Sequence, residues 1–109
     1  MERIPRSETR YEKNLTASIK YEDKVFSCIT KNISKSGIYL EAIGFDLKTE
    51  RDISISIVGD DTLFELKGEV IWSRMISAEP SLSKIVGLGI NLTEVPPEYL
   101  NYIDYLKYE

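Results

Sequence analysis

Strict alternation of apolar and polar residues constrains this chain more than any other feature. Between Asp52 and Val58 isoleucines occupy every second position and serines lie between them. Because successive side chains of a strand point to opposite faces, this period of two predicts a strand with one buried face. The same kind of pattern, interrupted by turn residues, predicts six strands over residues 14–21, 25–33, 37–42, 52–58, 63–72 and 84–92.

Several local features refine these strands. Residues 59–61 are a turn signal of the kind that joins hairpin strands. Gly68, inside the fifth strand, is typical of a bulge or a tight bend. Trp72 falls on the apolar face of the same strand, which predicts a core position for its indole, and residues 75–83 are predicted to form a loop. Cys28, the single cysteine, is predicted to be a small buried hydrophobe rather than a reactive thiol.

The period changes near the end of the chain, which predicts a helix. Thr93 is a candidate N-cap, and the prolines at positions 96 and 97 suit a first helical turn. Apolar residues then recur at spacings of three and four, which is one helical stripe. The stripe consists of Tyr99, Tyr102, Ile103 and Leu106.

The order of these elements predicts the fold class. Several short antiparallel strands followed by one helix indicate a mainly β protein, a compact antiparallel β-barrel of about six strands with one C-terminal α-helix. A barrel is favoured because closure removes exposed strand edges. Residues 1–13, with four basic and three acidic side chains, form an N-terminal arm, and residues 14–109 form the barrel with its helix.

Composition excludes several classes of protein. The formal net charge of −4 argues against a general DNA- or RNA-binding protein, which needs a basic face to neutralise phosphates. The absence of histidine excludes serine–histidine and cysteine–histidine catalysis and most zinc sites. No apolar run approaches about 18 residues, so a cytoplasmic protein without membrane insertion is expected. With no catalytic constellation and no metal-ligand pattern, the chain is predicted not to be an enzyme and to carry no metal or cofactor.

Two short motifs stand out against this scaffold. Residues 6–10 read Arg-Ser-Glu-Thr-Arg, and residues 32–37 read Asn-Ile-Ser-Lys-Ser-Gly between the second and third strands. Taken alone, the second motif is explained as ordinary turn chemistry. In that interpretation asparagine and serine bond to the nearby backbone, and Gly37 takes a positive φ.

Together, in this order and at this separation, the motifs resemble the signature of the PilZ family. That signature is an Arg-x-x-x-Arg near the N-terminus and an Asp/Asn-x-Ser-x-x-Gly after the first hairpin. Residues 68–73 also resemble the family's Gly-x-Val-x-Trp strand, and residues 86–92 resemble its glycine-punctuated last strand. The residues that match the two motifs are Arg6, Arg10, Asn32, Ser34 and Gly37.

The resemblance implies a split barrel that binds the bacterial messenger cyclic di-GMP. Arg6 and Arg10 would bind a phosphate or the O6/N7 edge of guanine, because a guanidinium is a planar fork of donors. Asn32 would bind a guanine edge or the ribose, Ser34 would donate to a phosphate or fix the turn, and Gly37 would let the backbone approach closely. Additional candidate contacts are Arg3, Ser36 and Arg74.

Two functions remain open at this point. In the first, cyclic di-GMP orders the arm and a partner protein recognises the new surface. In the second, the chain is a PilZ-like adaptor that does not bind the nucleotide and acts only through protein contacts. The presence of both motifs favours the first. Asn32 stands where the family often has aspartate, and an amide offers one acceptor atom where a carboxylate offers two.

Overall fold

The computed structural model of the chain describes residues 8–45, 51–77 and 84–108. These residues contain seven strands and one helix. In chain order the elements are β1 (Tyr11–Glu12), β2 (Thr16–Tyr21), β3 (Lys24–Ile33), β4 (Gly37–Ile43), β5 (Arg51–Gly59), β6 (Thr62–Ser77), β7 (Ile85–Glu94) and α1 (Pro97–Leu106).

Six of the strands close into an antiparallel barrel. Around the barrel the order is β3, β2, β5, β6, β7 and β4, and β4 pairs with β3 to complete the ring. The short β1 pairs with the end of β3, opposite Asn32 and Ile33, while β2 pairs with its earlier residues. The expected fold class, a mainly β antiparallel barrel of about six strands with one C-terminal helix, is confirmed.

The inward-facing side chains of the six strands form one core. Ile19, Leu40, Ile55 and Leu88 are fully buried and lie on four different strands, as the alternation predicts. Cys28 belongs to the same core, and burial raises the pKa of its thiol to about 12. The prediction that it packs as a small hydrophobe is therefore confirmed.

β6 is longer than predicted. It continues to Ser77, so residues 75–77 are strand rather than loop, and residues 78–83 lie outside the described part of the chain. Pairing with β7 carries the strand past Arg74, since Ser77 is still opposite Ile85.

Two of the register shifts between β6 and β7 bear on the predictions for β6. At the first, between Lys67 and Gly68, the extra residue is Thr93 of β7, so the bulge lies opposite Gly68 and the alternation of β6 continues to Val70. The second shift lies between Val70 and Trp72, and here the extra residue is in β6. It moves Trp72 to the outer face, where 41% of the residue is exposed. The predicted core position of Trp72 is therefore wrong, because one extra residue reverses the alternation that the prediction extended.

α1 begins at Pro97, and its N-cap is Pro96, with extended backbone and no side-chain cap hydrogen bond. Thr93 is not the cap, because β7 remains paired with β6 as far as Glu94. The predicted apolar stripe is confirmed, with three of its four residues buried and Tyr102 partly so. In the described part of the chain, no helix combines the length and the apolar character that crossing a membrane requires.

Candidate functional site

The turn between β3 and β4, residues 34–37, is called here the serine turn. Ser34 is fully buried; its amide donates to the carbonyl of Gly37 at 2.9 Å, and its hydroxyl accepts from the amide of Gly37 at 3.1 Å. The turn is tied to later elements as well, because Leu92 donates its amide to the Ser36 carbonyl and Tyr99 donates its hydroxyl to the Ser34 carbonyl, each at 2.8 Å.

Gly37 serves this turn through close packing rather than through an unusual φ. Among the described glycines only Gly44 has a positive φ, so the positive φ expected at Gly37 is wrong. A Cβ at Gly37 would lie 3.3 Å from the carbonyl oxygen of Ile90. The absence of a side chain lets β4 approach β7 at the edge of the site.

A buried threonine attaches the end of the arm to β3. The hydroxyl of Thr30 donates to the carbonyl of Lys13 at 2.7 Å and accepts from the amide of Leu15 at 2.9 Å. Beside it, a register shift between Thr30 and Asn32 interrupts the pairing of β3 with β4. Beyond that shift Asn32 lies opposite Tyr39 of β4, and Glu12 of the arm lies opposite Asn32 on the other edge.

This attachment brings the two motifs together. The guanidinium of Arg10 donates to the side-chain oxygen of Asn32 at 3.3 Å. Arg10 is exposed and Asn32 half-buried, so both polar heads remain accessible. Arg3 and Arg6 lie outside the described residues.

A carboxylate that sequence reasoning missed occupies the serine turn. The hydroxyl of Ser34 donates to Glu8 at 2.6 Å, and the hydroxyl of Ser36 contacts both carboxylate oxygens of Glu8, at 2.7 and 2.8 Å. Partial burial alone would raise the pKa of Glu8. The two serine hydroxyls, the Ser36 backbone and the charge of Arg10 together outweigh that effect and lower it. The turn therefore stabilises a negative charge.

Next to Asn32 the outer face of the barrel carries two stacked rings, Tyr39 and Trp72, which we call the aromatic pair. Their centroids are 5.4 Å apart and their planes are inclined by 22°. A Cβ at Gly89 would collide with the indole of Trp72, and a Cβ at Gly87 would lie 2.7 Å from the Tyr39 hydroxyl. Two glycines at a spacing of two thus clear one face of β7 for the rings, a signal in the sequence that the alternation argument did not use.

Arg74 extends this outer face. It lies opposite Gly87, and its guanidinium is 5.9 Å from the centre of the Trp72 ring. Asn32, Tyr39, Gly89 and Trp72 occupy one cross-strand row. The row spans three strand spacings, about 14 Å. Arg74 is therefore remote from Arg10 but borders the aromatic pair.

An ion pair joins the serine turn to the C-terminal helix. The ammonium of Lys35 is 2.9 Å from a carboxylate oxygen of Asp104, and both side chains are about half exposed. The hydrogen bond and charge of Lys35 lower the pKa of Asp104. Together with the bond from Tyr99, the pair gives the turn two connections to α1. Among the described residues no cluster of three or more potential metal-ligating side chains is found.

Comparison with known proteins gives one family and one fold. The sequence matches the PilZ domain family over residues 4–108. The structure is similar to that of the Bacillus subtilis inhibitor of motility (MotI/DgrA), with a TM-score of 0.65 and 17% identity over 98% of this chain and 50% of that one. This chain thus spans half the length of that protein. Sequence comparison with curated proteins returned no match.

A second similar structure is described as the PilZ domain with c-di-GMP of YcgR from Escherichia coli. The TM-score is 0.63 and the identity 14%, over 93% of this chain and 87% of that one. At these identities the likeness shows the fold, whereas the family match extends over nearly the whole sequence. The chain therefore belongs to the PilZ domain family.

Proposed function

We propose that this domain is a bacterial, cytoplasmic receptor for cyclic di-GMP that signals to a partner protein and catalyses no reaction. The observation that carries the proposal is the hydrogen bond between Arg10 and Asn32, which joins the two motifs beside a turn that stabilises a negative charge. PilZ domains are typically non-enzymatic, and the similar Escherichia coli domain is described with c-di-GMP.

In this proposal the parts of the ligand are bound by different parts of the site. Arg10, with Arg6, binds a phosphate or the O6/N7 edge of a guanine, and Asn32 binds a guanine edge or the ribose. Ser36 is the hydroxyl that a phosphate reaches, because it is exposed whereas Ser34 is fully buried and holds the turn. Gly37 keeps the backbone open to close approach, and no cofactor, metal or nucleic acid takes part.

The aromatic pair supplies a surface for a flat base. Trp72 is exposed beside Tyr39, in the same cross-strand row as Asn32, and stacking on aromatic rings is a common way to hold nucleobases. Arg74 at its border is an additional candidate contact, as are Ser36 and Arg3.

The signal leaves the site through the two connections between the serine turn and α1. The expectation that the ligand orders the arm is therefore revised for residues 8–13: Glu8 and Lys13 are already bonded to the turn and to β3, so the ligand reorganises this attachment. A partner protein would then recognise the changed surface. The adaptor function remains the second candidate, and the outcome of a ligand titration separates the two.

The test is calorimetric titration with cyclic di-GMP, with GTP and cyclic AMP as controls and the fluorescence of Trp72, the single tryptophan, as a second readout. We expect micromolar or tighter binding with a change in Trp72 emission.

A charge-assisted hydrogen bond is worth about 1.5–3 kcal/mol, so Arg10→Ala should weaken binding at least about tenfold. Arg10→Lys should also bind more weakly, because an ammonium lacks the planar fork.

The matched control is Arg51→Lys, which makes the same change on β5, where the guanidinium lies 4.5 Å from the centre of the Tyr21 ring. It should leave the affinity unchanged. A flat titration with folded wild-type protein would reject the receptor in favour of the adaptor.

A further inference from the structure

The Glu8 carboxylate occupies the donors that a phosphate of the proposed ligand would use. Ser36 is the exposed hydroxyl of the serine turn, and it contacts both oxygens of Glu8. A carboxylate and a phosphate present the same kind of charged acceptor oxygen, and both form short bonds to hydroxyl donors.

Hydroxyl chemistry makes this occupancy exclusive. Each serine hydroxyl has one proton to donate. Ser34 directs its proton to Glu8 at 2.6 Å or to the Gly37 carbonyl at 3.1 Å, and the shorter bond is the one to the charged acceptor. A phosphate that approached the turn with Glu8 in place would find the Ser36 proton engaged and a negative charge within contact distance.

We propose that Glu8 is an internal anion that competes with the ligand phosphate for the serine turn and thereby sets the concentration of cyclic di-GMP at which the receptor responds. The proposal rests on the proposed function for the identity of the ligand. The contact itself links sensing to the arm, because the phosphate must displace a side chain that lies between Arg6 and Arg10 in the sequence.

The displaced side chain has an alternative position. A cleft of about 360 Å³ lies between the arm, the turn and α1, and Glu8 borders it. Its walls include Lys107 and the ion pair of Lys35 with Asp104, so Lys107 is the ammonium that is not already paired with that carboxylate. A carboxylate that leaves the hydroxyls can therefore remain near positive charge on the side of α1, while Arg10 stays at Asn32 for the ligand.

The magnitude follows from competition. If Glu8 occupies the turn for most of the time, the apparent affinity equals the intrinsic affinity multiplied by the small fraction of molecules in which the turn is free. Glu8→Gln removes the charge and keeps the shape. We expect this variant to bind cyclic di-GMP about three to ten times more tightly than the wild type. Glu12→Gln is the matched control, since it removes an exposed carboxylate from the same arm without touching the turn, and its affinity should stay within about twofold of wild type.

The experiment is calorimetry on wild type, Glu8→Gln and Glu12→Gln in the same buffer. Tighter binding confined to Glu8→Gln supports the proposal. Equal or weaker binding by Glu8→Gln overturns it, because the carboxylate would then position the arm and not compete. An equal gain in both variants also overturns it, because the effect would be general charge repulsion.

A second measurement separates this proposal from the proposed function. If no variant binds cyclic di-GMP, the receptor function fails, and inorganic phosphate replaces the nucleotide as probe. The Ser36 amide is then followed by two-dimensional NMR during a phosphate titration. Stronger binding of phosphate by Glu8→Gln than by wild type supports an internal anion at the turn, and indistinguishable titrations overturn it.

Discussion

Gly89 is the residue on which the geometry of the aromatic pair depends. The indole of Trp72 lies against the backbone of β7 at the place where any side chain at position 89 would project. The Trp72 indole can therefore lie flat on β7 only because Gly89 has no side chain. This arrangement gives the outer face a flat aromatic surface near Asn32.

We expect Gly89→Ala to displace the Trp72 indole. The added methyl group must push the ring from its position, so the variant should lose about 1–3 kcal/mol of folding free energy and shift the Trp72 emission. Urea unfolding measures the first effect and fluorescence the second. In a double-mutant cycle, Trp72→Ala should remove most of the cost of Gly89→Ala, because the two residues are in contact. A cost that is unchanged without the indole would show that the methyl group strains the backbone of β7 instead.

The residues missed by sequence reasoning share a physical cause. Alternation places Trp72 in the core only when it is extended through a bulge, and a bulge depends on the partner strand as well as on the local sequence. Glu8 meets Ser34 across 26 positions, a contact that only the closed barrel brings about. By contrast, Arg10 and Asn32 were both named from their motifs, and the structure brings them together.

At the scale of elements, α1 and the serine turn are joined by one buried hydrogen bond and one exposed ion pair. The Tyr99 hydroxyl donates to the Ser34 carbonyl at 2.8 Å, and Tyr99 itself is fully buried. Burial raises the pKa of Tyr99 well above its usual range, so the hydroxyl keeps its proton and remains a donor. The connection through Lys35 and Asp104 is solvated and contributes less.

Tyr99→Phe should destabilise the serine turn and leave the packing of the core unchanged, because the ring remains and only the hydroxyl is lost. Loss of the hydroxyl removes a hydrogen bond from the carbonyl of buried Ser34, which costs about 1–3 kcal/mol in folding free energy. Amide hydrogen exchange at Ser36 and Gly37 should become faster. Tyr105→Phe is the control, because the Tyr105 side chain is exposed on the same helix and its change should leave both quantities unaltered. Unchanged exchange in Tyr99→Phe would mean that the turn is held without α1.

The elements themselves were largely predictable, whereas several of their ends were not. All six barrel strands lie where the alternation placed them, because a period of two is a local property of the sequence. The ends depend on partners: β7 continues through Thr93 because β6 is still paired with it, and β6 continues to Ser77 because β7 is paired with it. Neither fact can be deduced from residues near the end concerned.

At the scale of the whole molecule, the barrel closes around a single continuous core that includes Cys28. β3 contributes this side chain to the interior, and β3 pairs with the arm as well as with β2 and β4. Opening the barrel far enough to reach the thiol therefore disrupts the strand that presents Asn32. The reactivity of the thiol should therefore report on the stability of the whole domain.

We expect Cys28 to react with a thiol reagent only as fast as the barrel opens. Burial raises its pKa to about 12, so little thiolate forms at neutral pH even where reagent can enter. Ligand at 100 times its dissociation constant should slow the reaction about a hundredfold, because binding stabilises the closed molecule by that factor. Arg10→Ala at the same ligand concentration should show much less slowing. If the wild type binds ligand and reacts at an unchanged rate, the thiol is reached through a local opening that leaves the site intact.

The bond between Tyr99 and Ser34 spans 65 positions and has a consequence for synthesis. A ribosome makes the serine turn, residues 34–37, more than sixty residues before the tyrosine that bonds to it. Barrel closure is equally late, because one edge of β4 pairs with β7, which is the last strand to be synthesised. Every emerging chain therefore passes through a stage in which the motif residues exist without the geometry that joins them. The serine turn therefore gains its contact with α1 only after the end of this domain has been synthesised.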